Sequence, residues 1–221
     1  MRRALIVGID EYSFSPLAGC VNDSIKIVEI LAKNQDGSPN FDCKQLTAPG
    51  LNITRSLLKK NIEELFSHEA DVALFYFSGH GTANNLGGFL VTQDADSYDE
   101  GVSMVDVLTY ANQSKDRIKE IVIILDCCNS GALGELPAIN NHQTSLREGI
   151  TILTASRGTQ YAMEVDGGGL FTSLIHEALS GGAADVIGNV TVASVYGYAD
   201  QTLGAWDQRP LFKSHVSKLL P

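Results

Sequence analysis

No stretch of this 221-residue chain is apolar for long enough to span a membrane; its hydrophobic runs stop at strand length. Basic residues are in deficit as well, with 16 Lys and Arg against 26 Asp and Glu, for a formal net charge of −10. An acidic chain is repelled by nucleic acid and by anionic lipid, so neither is expected as a partner, whereas a basic peptide is attracted. Cysteine is scarce: Cys20, Cys43, Cys127 and Cys128 include no Cys-x-x-Cys pair and no Cys/His spacing of a zinc site. The adjacent Cys127 and Cys128 would point to opposite faces of a strand, so reduced thiols are expected. No small-residue cleavage site follows the first apolar segment; Met1-Arg2-Arg3 runs directly into ALIVGID, which reads as a strand and not a leader. A cytoplasmic location is the resulting expectation. Internal repeats, low-complexity tracts and linker-like composition are lacking too, and one domain over residues 1–221 is expected.

Hydrophobic residues make up 44% of the chain, enough for an ample core. Their pattern alternates between two periods. Arg3 to Ile9, a short piece around Lys44 to Thr47, Asp71 to Phe77, Ile121 to Asp126, Gly149 to Ala155 and Leu211 to Val216 read as strands. Between them, helical spacing covers about Asn22 to Lys33, a segment capped by Thr54, Ser103 to Gln113, Phe171 to Leu179 and Val192 to Leu203. Gly87 to Thr92 reads as an extended hairpin arm. This alternation implies an α/β sandwich around a mostly parallel sheet. Ile121 to Ile124 is β-branched throughout, the composition of a strand buried on both faces, and it runs into Asp126-Cys127-Cys128.

Chemistry collects at the carboxyl ends of strands in such sheets. Two of these ends carry reactive residues: Ser78-Gly79-His80-Gly81 after one strand and Asp126-Cys127-Cys128 after another. A thiol attacks well only as thiolate, and a histidine within hydrogen-bond reach is the usual way to generate one near neutrality. The Gly81 amide, beside that of Cys128, is of the right kind to hold an oxyanion. Taken singly, a histidine in a glycine turn and a cysteine in a strand are more often structural than catalytic. Two strand ends of this kind together favour a site.

ALIVGIDEY at 4–12, GCVND at 19–23, FYFSGHG at 75–81, ILDCCNSG at 124–131 and TASRGTQYAMEVDGGGLFT at 154–172 together resemble the caspase-like cysteine peptidases, in particular the metacaspases and prokaryotic caspase homologues. The 48 positions from His80 to Cys128 match the roughly 50-residue spacing already described for caspases, so that spacing is not an independent prediction. The resemblance implies a three-layer αβα sandwich with about six strands. It divides the chain into a large-subunit-like part (1–131), an intersubunit-type loop (132–148) and a small-subunit-like part (149–221). It makes Cys128 the nucleophile and His80 the general base, with Cys127 packed inward. It places Asp23 and Asp126, with Cys20 and Ser78, in a pocket for a basic residue before the scissile bond. Two carboxylates are chemically suited to a guanidinium or ammonium. Asp23 is equally suited to favour a helix N-terminus. Asn129 replaces the histidine more usual after the nucleophile.

The resemblance also brings calcium into view, with Asp94, Asp96, Asp99 and Glu100 as candidate ligands, although they lack EF-hand spacing and no cofactor is required by the dyad. Autocleavage is a further family trait, and Arg147 is the one basic residue of the loop. Gly87, Gly88, Phe89, the Glu164 to Gly169 segment and Trp206 are candidates for walls of the substrate cleft. The expected partners are peptide or protein substrates with Arg or Lys before the cleaved bond, and a fused or associated sensor or effector module. A regulated protease of stress, cell death or defence is expected on the family analogy. A catalytically silent binding or scaffold module on the same fold, or a different cysteine hydrolase, stands as the alternative.

Overall fold

The computed structural model describes residues 1–85, 87–96, 99–127, 146–155, 164–165, 167–203 and 210–215. A six-stranded sheet forms its centre. The strands are β1 (Arg2–Ile9), β2 (Phe41–Ala48), β3 (Ala70–Gly79), β7 (Ile118–Cys127), β8 (Ile150–Thr154) and β11 (Leu211–His215), in the order β11-β8-β7-β3-β1-β2. Five of them are parallel, and β11 runs antiparallel against β8. A second sheet joins β4 (Gly81–Asn84), β5 (Gly87–Asp96) and β6 (Asp99–Ser103), and a two-stranded hairpin pairs β9 (Glu164–Val165) with β10 (Gly168–Gly169). The three-layer sandwich and the mostly parallel sheet expected from the sequence are both present.

Helices cover both faces of the central sheet, and the two-residue period of each strand decides which side chain meets which layer. Leu5, Val7, Phe75, Phe77, Ile121, Ile123, Leu125 and Cys127 pack under α2 (Arg55–Ser67) and α3 (Met104–Gln113). Ile6, Leu74, Tyr76, Val122 and Ile124 pack under α1 (Cys20–Ala32), α4 (Leu170–Glu177) and α5 (Val192–Leu203). None of the described helices is long and apolar enough to cross a membrane.

Local chemistry sets the helix starts. The hydroxyls of Thr54 and Ser103 accept hydrogen bonds from the Leu57 and Val105 amides and so cap α2 and α3. Helix α1 begins two residues earlier than its periodicity predicts. Its cap comes from outside the helix: the Asp10 carboxylate, just past β1, accepts from the amides of Cys20 (2.8 Å) and Val21 (3.3 Å). Gly8 lets the helix come this close, since a Cβ there would fall 2.3 Å from the Cys20 carbonyl oxygen.

Ile123 is fully buried in the middle of the sheet. Ile123→Ala is expected to lower the unfolding free energy by about 2–5 kcal/mol, measured as a shift of the urea midpoint at unchanged slope.

Candidate active site

Parallel pairing of β3 with β7 sets Ser78 opposite Asp126 and Gly79 opposite Cys127. The next residue on the β3 side is His80. Cys128, the next on the β7 side, lies outside the described residues, as do Asn129, residues 130–145 and Trp206.

His80 is half-buried, and its position is fixed at three points. Its Nε2 lies 2.7 Å from the Ser15 carbonyl oxygen. A carbonyl can only accept, so Nε2 carries a proton, and the tautomer this selects for the neutral ring has its lone pair on Nδ1. The imidazole packs against the Tyr12 ring, with centroids 4.6 Å apart, and Phe14 lies 5.8 Å away on the same cluster. The backbone is held by the Tyr12 hydroxyl, which accepts from the His80 amide (3.1 Å) and donates to the Val91 carbonyl (3.1 Å). Val91 donates its own amide directly to the His80 carbonyl (2.9 Å). A strand pair of this kind ordinarily exchanges two direct bonds; here one of the two is replaced by a tyrosine hydroxyl. Burial pushes the Tyr12 phenol far above its ordinary range and keeps it a neutral donor. Tyr12 stood in a sequence motif without a role, and Ser15 acts through a main-chain atom that no residue type reveals.

On the other face of the sheet the two acids meet. Asp23 is 1% exposed and Asp126 5% exposed. Asp23 Oδ2 accepts from the Gly169 amide at 2.8 Å, while Asp23 Oδ1 is buried and finds no hydrogen-bond partner among the described residues. Asp126 Oδ2 accepts from both the amide (3.2 Å) and the hydroxyl (2.6 Å) of Thr172. The Tyr76 hydroxyl, 2.6 Å from the same Thr172 oxygen, donates into it and completes a buried relay. Asp126 Oδ2 and Asp23 Oδ2 lie 2.2 Å and 3.1 Å from a single point, the place a Cβ on residue 169 would occupy. Burial pushes the Asp23 carboxyl up to about 7; the Gly169 hydrogen bond opposes this, Asp126 adds to it, Lys26 opposes it and Asp10 adds to it. Cys20 is buried beside Ser78. Desolvation raises its thiol well above the ordinary range against the pull of the Ser78 hydroxyl, so it stays protonated. The structure thus brings Cys20, Asp23, Ser78 and Asp126 together. Thr172, Tyr76 and Gly169 join them; all three lie in motifs that carry the family resemblance, but none reads from the sequence as part of the acid pocket.

A family model for the caspase domain, peptidase C14, matches residues 1–221. The chain belongs to the caspase-domain family. Among its curated relatives, metacaspase-3 of Arabidopsis thaliana is 28% identical over 157 residues, which cover 62% of this chain and 42% of the relative. Metacaspase-1 of Cryptococcus neoformans is 27% identical over 176 residues, 71% of this chain and 37% of the relative. Metacaspase-3 of Trypanosoma cruzi is 28% identical over 166 residues, 67% and 45%. The matched region spans less than half the length of each relative. Caspase-1 from Spodoptera frugiperda shares the fold at a TM-score of 0.72 and 13% identity, covering 99% of this chain and 90% of that one. A protein from Geobacter sulfurreducens does so at 0.70 and 14%, covering 99% and 94%.

Two other sets of residues singled out in this caspase-domain chain are engaged in contacts of their own. Asp94 Oδ1 accepts from the Arg55 amide (2.9 Å) and the Thr92 hydroxyl (2.7 Å), Asp99 forms an ion pair with the Arg55 guanidinium (2.6 Å), and Glu100 accepts from Asn84 (2.8 Å). Among the described residues, no three His, Cys, Asp or Glu side chains converge as a metal-ligating group. As placed, Asp94 and Asp99 hold Arg55 and the start of α2 and Glu100 holds Asn84, so no step is derived through calcium. Arg147 is embedded at the end of α3. Its guanidinium donates to the carbonyls of Ala111 (3.2 Å), Ile118 (2.9 Å) and Glu148 (2.7 Å) and to the Ser114 hydroxyl (3.2 Å). The Ala111 bond satisfies a carbonyl at the C-terminus of α3, and the Ile118 bond one at the start of β7. They would all have to break before this arginine could enter a protease cleft.

Tyr12→Phe removes both bonds of the bridging hydroxyl and is expected to cost about 1–3 kcal/mol of stability, read by chemical denaturation. Asp23 supplies a pH test. Its carboxyl holds a proton to about pH 7 in the fold, whereas an unfolded aspartate releases its own near pH 3.9. Between those values the folded state binds more protons, so stability falls as pH rises. Wild type is therefore expected to lose stability relative to Asp23→Asn between about pH 4 and pH 7, measured from paired denaturation curves.

Proposed function

We propose that this chain is a cysteine endopeptidase that cuts after a basic residue, with His80 as general base and Cys128 as nucleophile. The observation that carries the reading is the buried acid pair of Asp126, on the strand that leads to Cys128, and Asp23, on helix α1, whose Oδ1 has no hydrogen-bond partner among the described residues. A carboxylate oxygen out of water with no donor is costly. A substrate guanidinium or ammonium supplies the donor and the opposite charge together.

The chemistry follows from the fixed imidazole. With the Nε2 proton committed to Ser15, Nδ1 takes the proton of the Cys128 thiol. The thiolate attacks the carbonyl carbon after the basic residue, and the oxyanion of the tetrahedral intermediate is held by the amides of Gly81 and Cys128. Support for Gly81 comes from the ladder. His80 and Val91 are bonded across β4 and β5, so the next pair, Gly81 and Leu90, falls at the alternate position, where amides point away from the partner strand. The imidazolium then gives its proton to the leaving amine. Water, deprotonated by the same nitrogen, releases the acyl group from sulfur. The protonated Cys20 lines the pocket without competing as a nucleophile.

The test is hydrolysis of fluorogenic peptides ending in Arg, Lys or Asp, each with and without calcium. Arg and Lys peptides should be cut and Asp peptides left intact. Cys128→Ala and His80→Ala should each lower kcat/KM by about a thousandfold or more. Asp23→Asn should raise KM for the Arg peptide by about ten- to a hundredfold, the worth of one charge-assisted hydrogen bond. Activity that survives Cys128→Ala, or a preference for Asp, would overturn the reading. Wild-type silence under every activating condition would point instead to a binding module.

A further inference from the structure

Gly168 and Gly169 are adjacent glycines of β10 for which the backbone gives no reason. Neither has a φ in the left-handed region, and Gly169 sits at φ −68°, ψ 131°, a conformation open to any residue. Gly167 differs: it has φ +74° and open space where a Cβ would be, so there the chain direction asks for glycine. At 168 and 169 it is room that is lacking. A Cβ on Gly168 would fall 2.6 Å from Asp23 Oδ1 and 3.1 Å from Lys26 Nζ. A Cβ on Gly169 would fall 2.2 Å from Asp126 Oδ2 and 3.1 Å from Asp23 Oδ2. The strand is laid directly on both carboxylates, and the oxygen it covers at 168 is the buried, unpartnered Oδ1.

We propose that Gly168 and Gly169 are specificity-determining residues: they form a side-chain-free wall along which the cationic side chain of the substrate reaches Asp23 Oδ1 and Asp126. This rests on the reading of those two acids as the pocket for a basic residue. Because β10 covers Oδ1, the cation reaches it as β10 shifts outward, and a charged donor replaces the neutral Gly169 amide on Asp23. The exchange is favourable, since the cation brings an opposite charge to the carboxylate along with its hydrogen bond, which the neutral amide does not. A side chain at either position would fill the space in which the exchange occurs. Lys26, whose ammonium lies beside the same point without closing on Oδ1, marks that space as one a cation tolerates.

The test uses Gly168→Ala and Gly169→Ala, with Asp23→Asn as reference and Gly197→Ala, where a Cβ meets open space, as control. Both β10 variants should raise KM for an Arg-ended peptide by about ten- to a hundredfold, the range a single methyl group commands in a fitted pocket, with kcat close to wild type. Inactivation by an arginyl chloromethyl ketone should slow in parallel. Alkylation by iodoacetamide, which carries no basic group, should keep its wild-type rate, and Gly197→Ala should change none of these. If Asp23→Asn raises KM while both β10 variants leave it unchanged, the wall is refuted and the acidic pocket stands. If Asp23→Asn has no effect either, both fall. Equal loss of iodoacetamide reactivity in the β10 variants marks a purely structural role and also overturns the proposal.

Discussion

The pairing of β3 with β7 is the interaction on which the rest of this site depends. Their parallel register brings both carboxyl ends to the same edge of the sheet, with Ser78 against Asp126 and Gly79 against Cys127. Side-chain parity along β7 then separates two jobs. Cys127 faces the α2 and α3 layer and is part of the core, whereas Asp126 faces α1 and α4 and bonds to Thr172. A shift of one residue in this register would bury the acid in hydrocarbon and turn Cys127 toward the polar network. The continuous apolar faces of both strands hold the register against that slip.

The acids impose a second constraint, because the fold takes two carboxylates out of water a few ångströms apart. Part of that cost is offset locally by the Gly169 amide, by Thr172 and by the Tyr76 hydroxyl behind it. The remainder shows in Asp23, whose carboxyl is pushed toward neutrality and whose Oδ1 has no donor among the described residues. Unmet buried groups of this kind mark places where a sequence serves something other than stability. The close approach of α1 at Gly8 and its cap by Asp10 hold Asp23 in that position.

The four inner strands of the sheet were legible in the sequence because they are largely buried on both faces and read as apolar runs. The helices were legible because one stripe of each is apolar; Val192 to Leu203 has the same bounds in the structure. The pieces that sequence reading missed are those that lack a period. Gly81–Asn84 and Asp99–Ser103 become strands by pairing with β5, and Gly168–Gly169 does so by pairing with Glu164–Val165. His80, Asp23 and Asp126 were legible because their chemistry is unusual at a strand end or helix start. Tyr12, Ser15 and Thr172 were not, since they act through a phenol in a loop, a carbonyl and a common hydroxyl; Gly169 falls in a segment that reads as a candidate cleft wall, but the bond from its amide to Asp23 carries no signal in the residue type. Arg147 illustrates the opposite failure. As a charge in a polar loop it reads as exposed, yet its guanidinium is spent on carbonyls of α3 and β7 that only the folded chain brings together.

The two halves of the candidate site are supported from opposite sides of the sheet. The base is oriented by Tyr12, part of the core under α2 and α3, and by the Ser15 carbonyl beyond β1. The acids are oriented by α1, α4 and β10 on the other side. Side chains on one face of a sheet reach those on the other only through the shared backbone, so perturbing one support leaves the other largely in place. On the proposed function, orientation of the imidazole would govern proton transfer, a step of the chemistry, whereas the acids would act on the bound residue before the bond is cut. On that reading the layered fold keeps rate and specificity on separate supports. They rejoin at the β3 and β7 ends, where two strands in register carry one component of each.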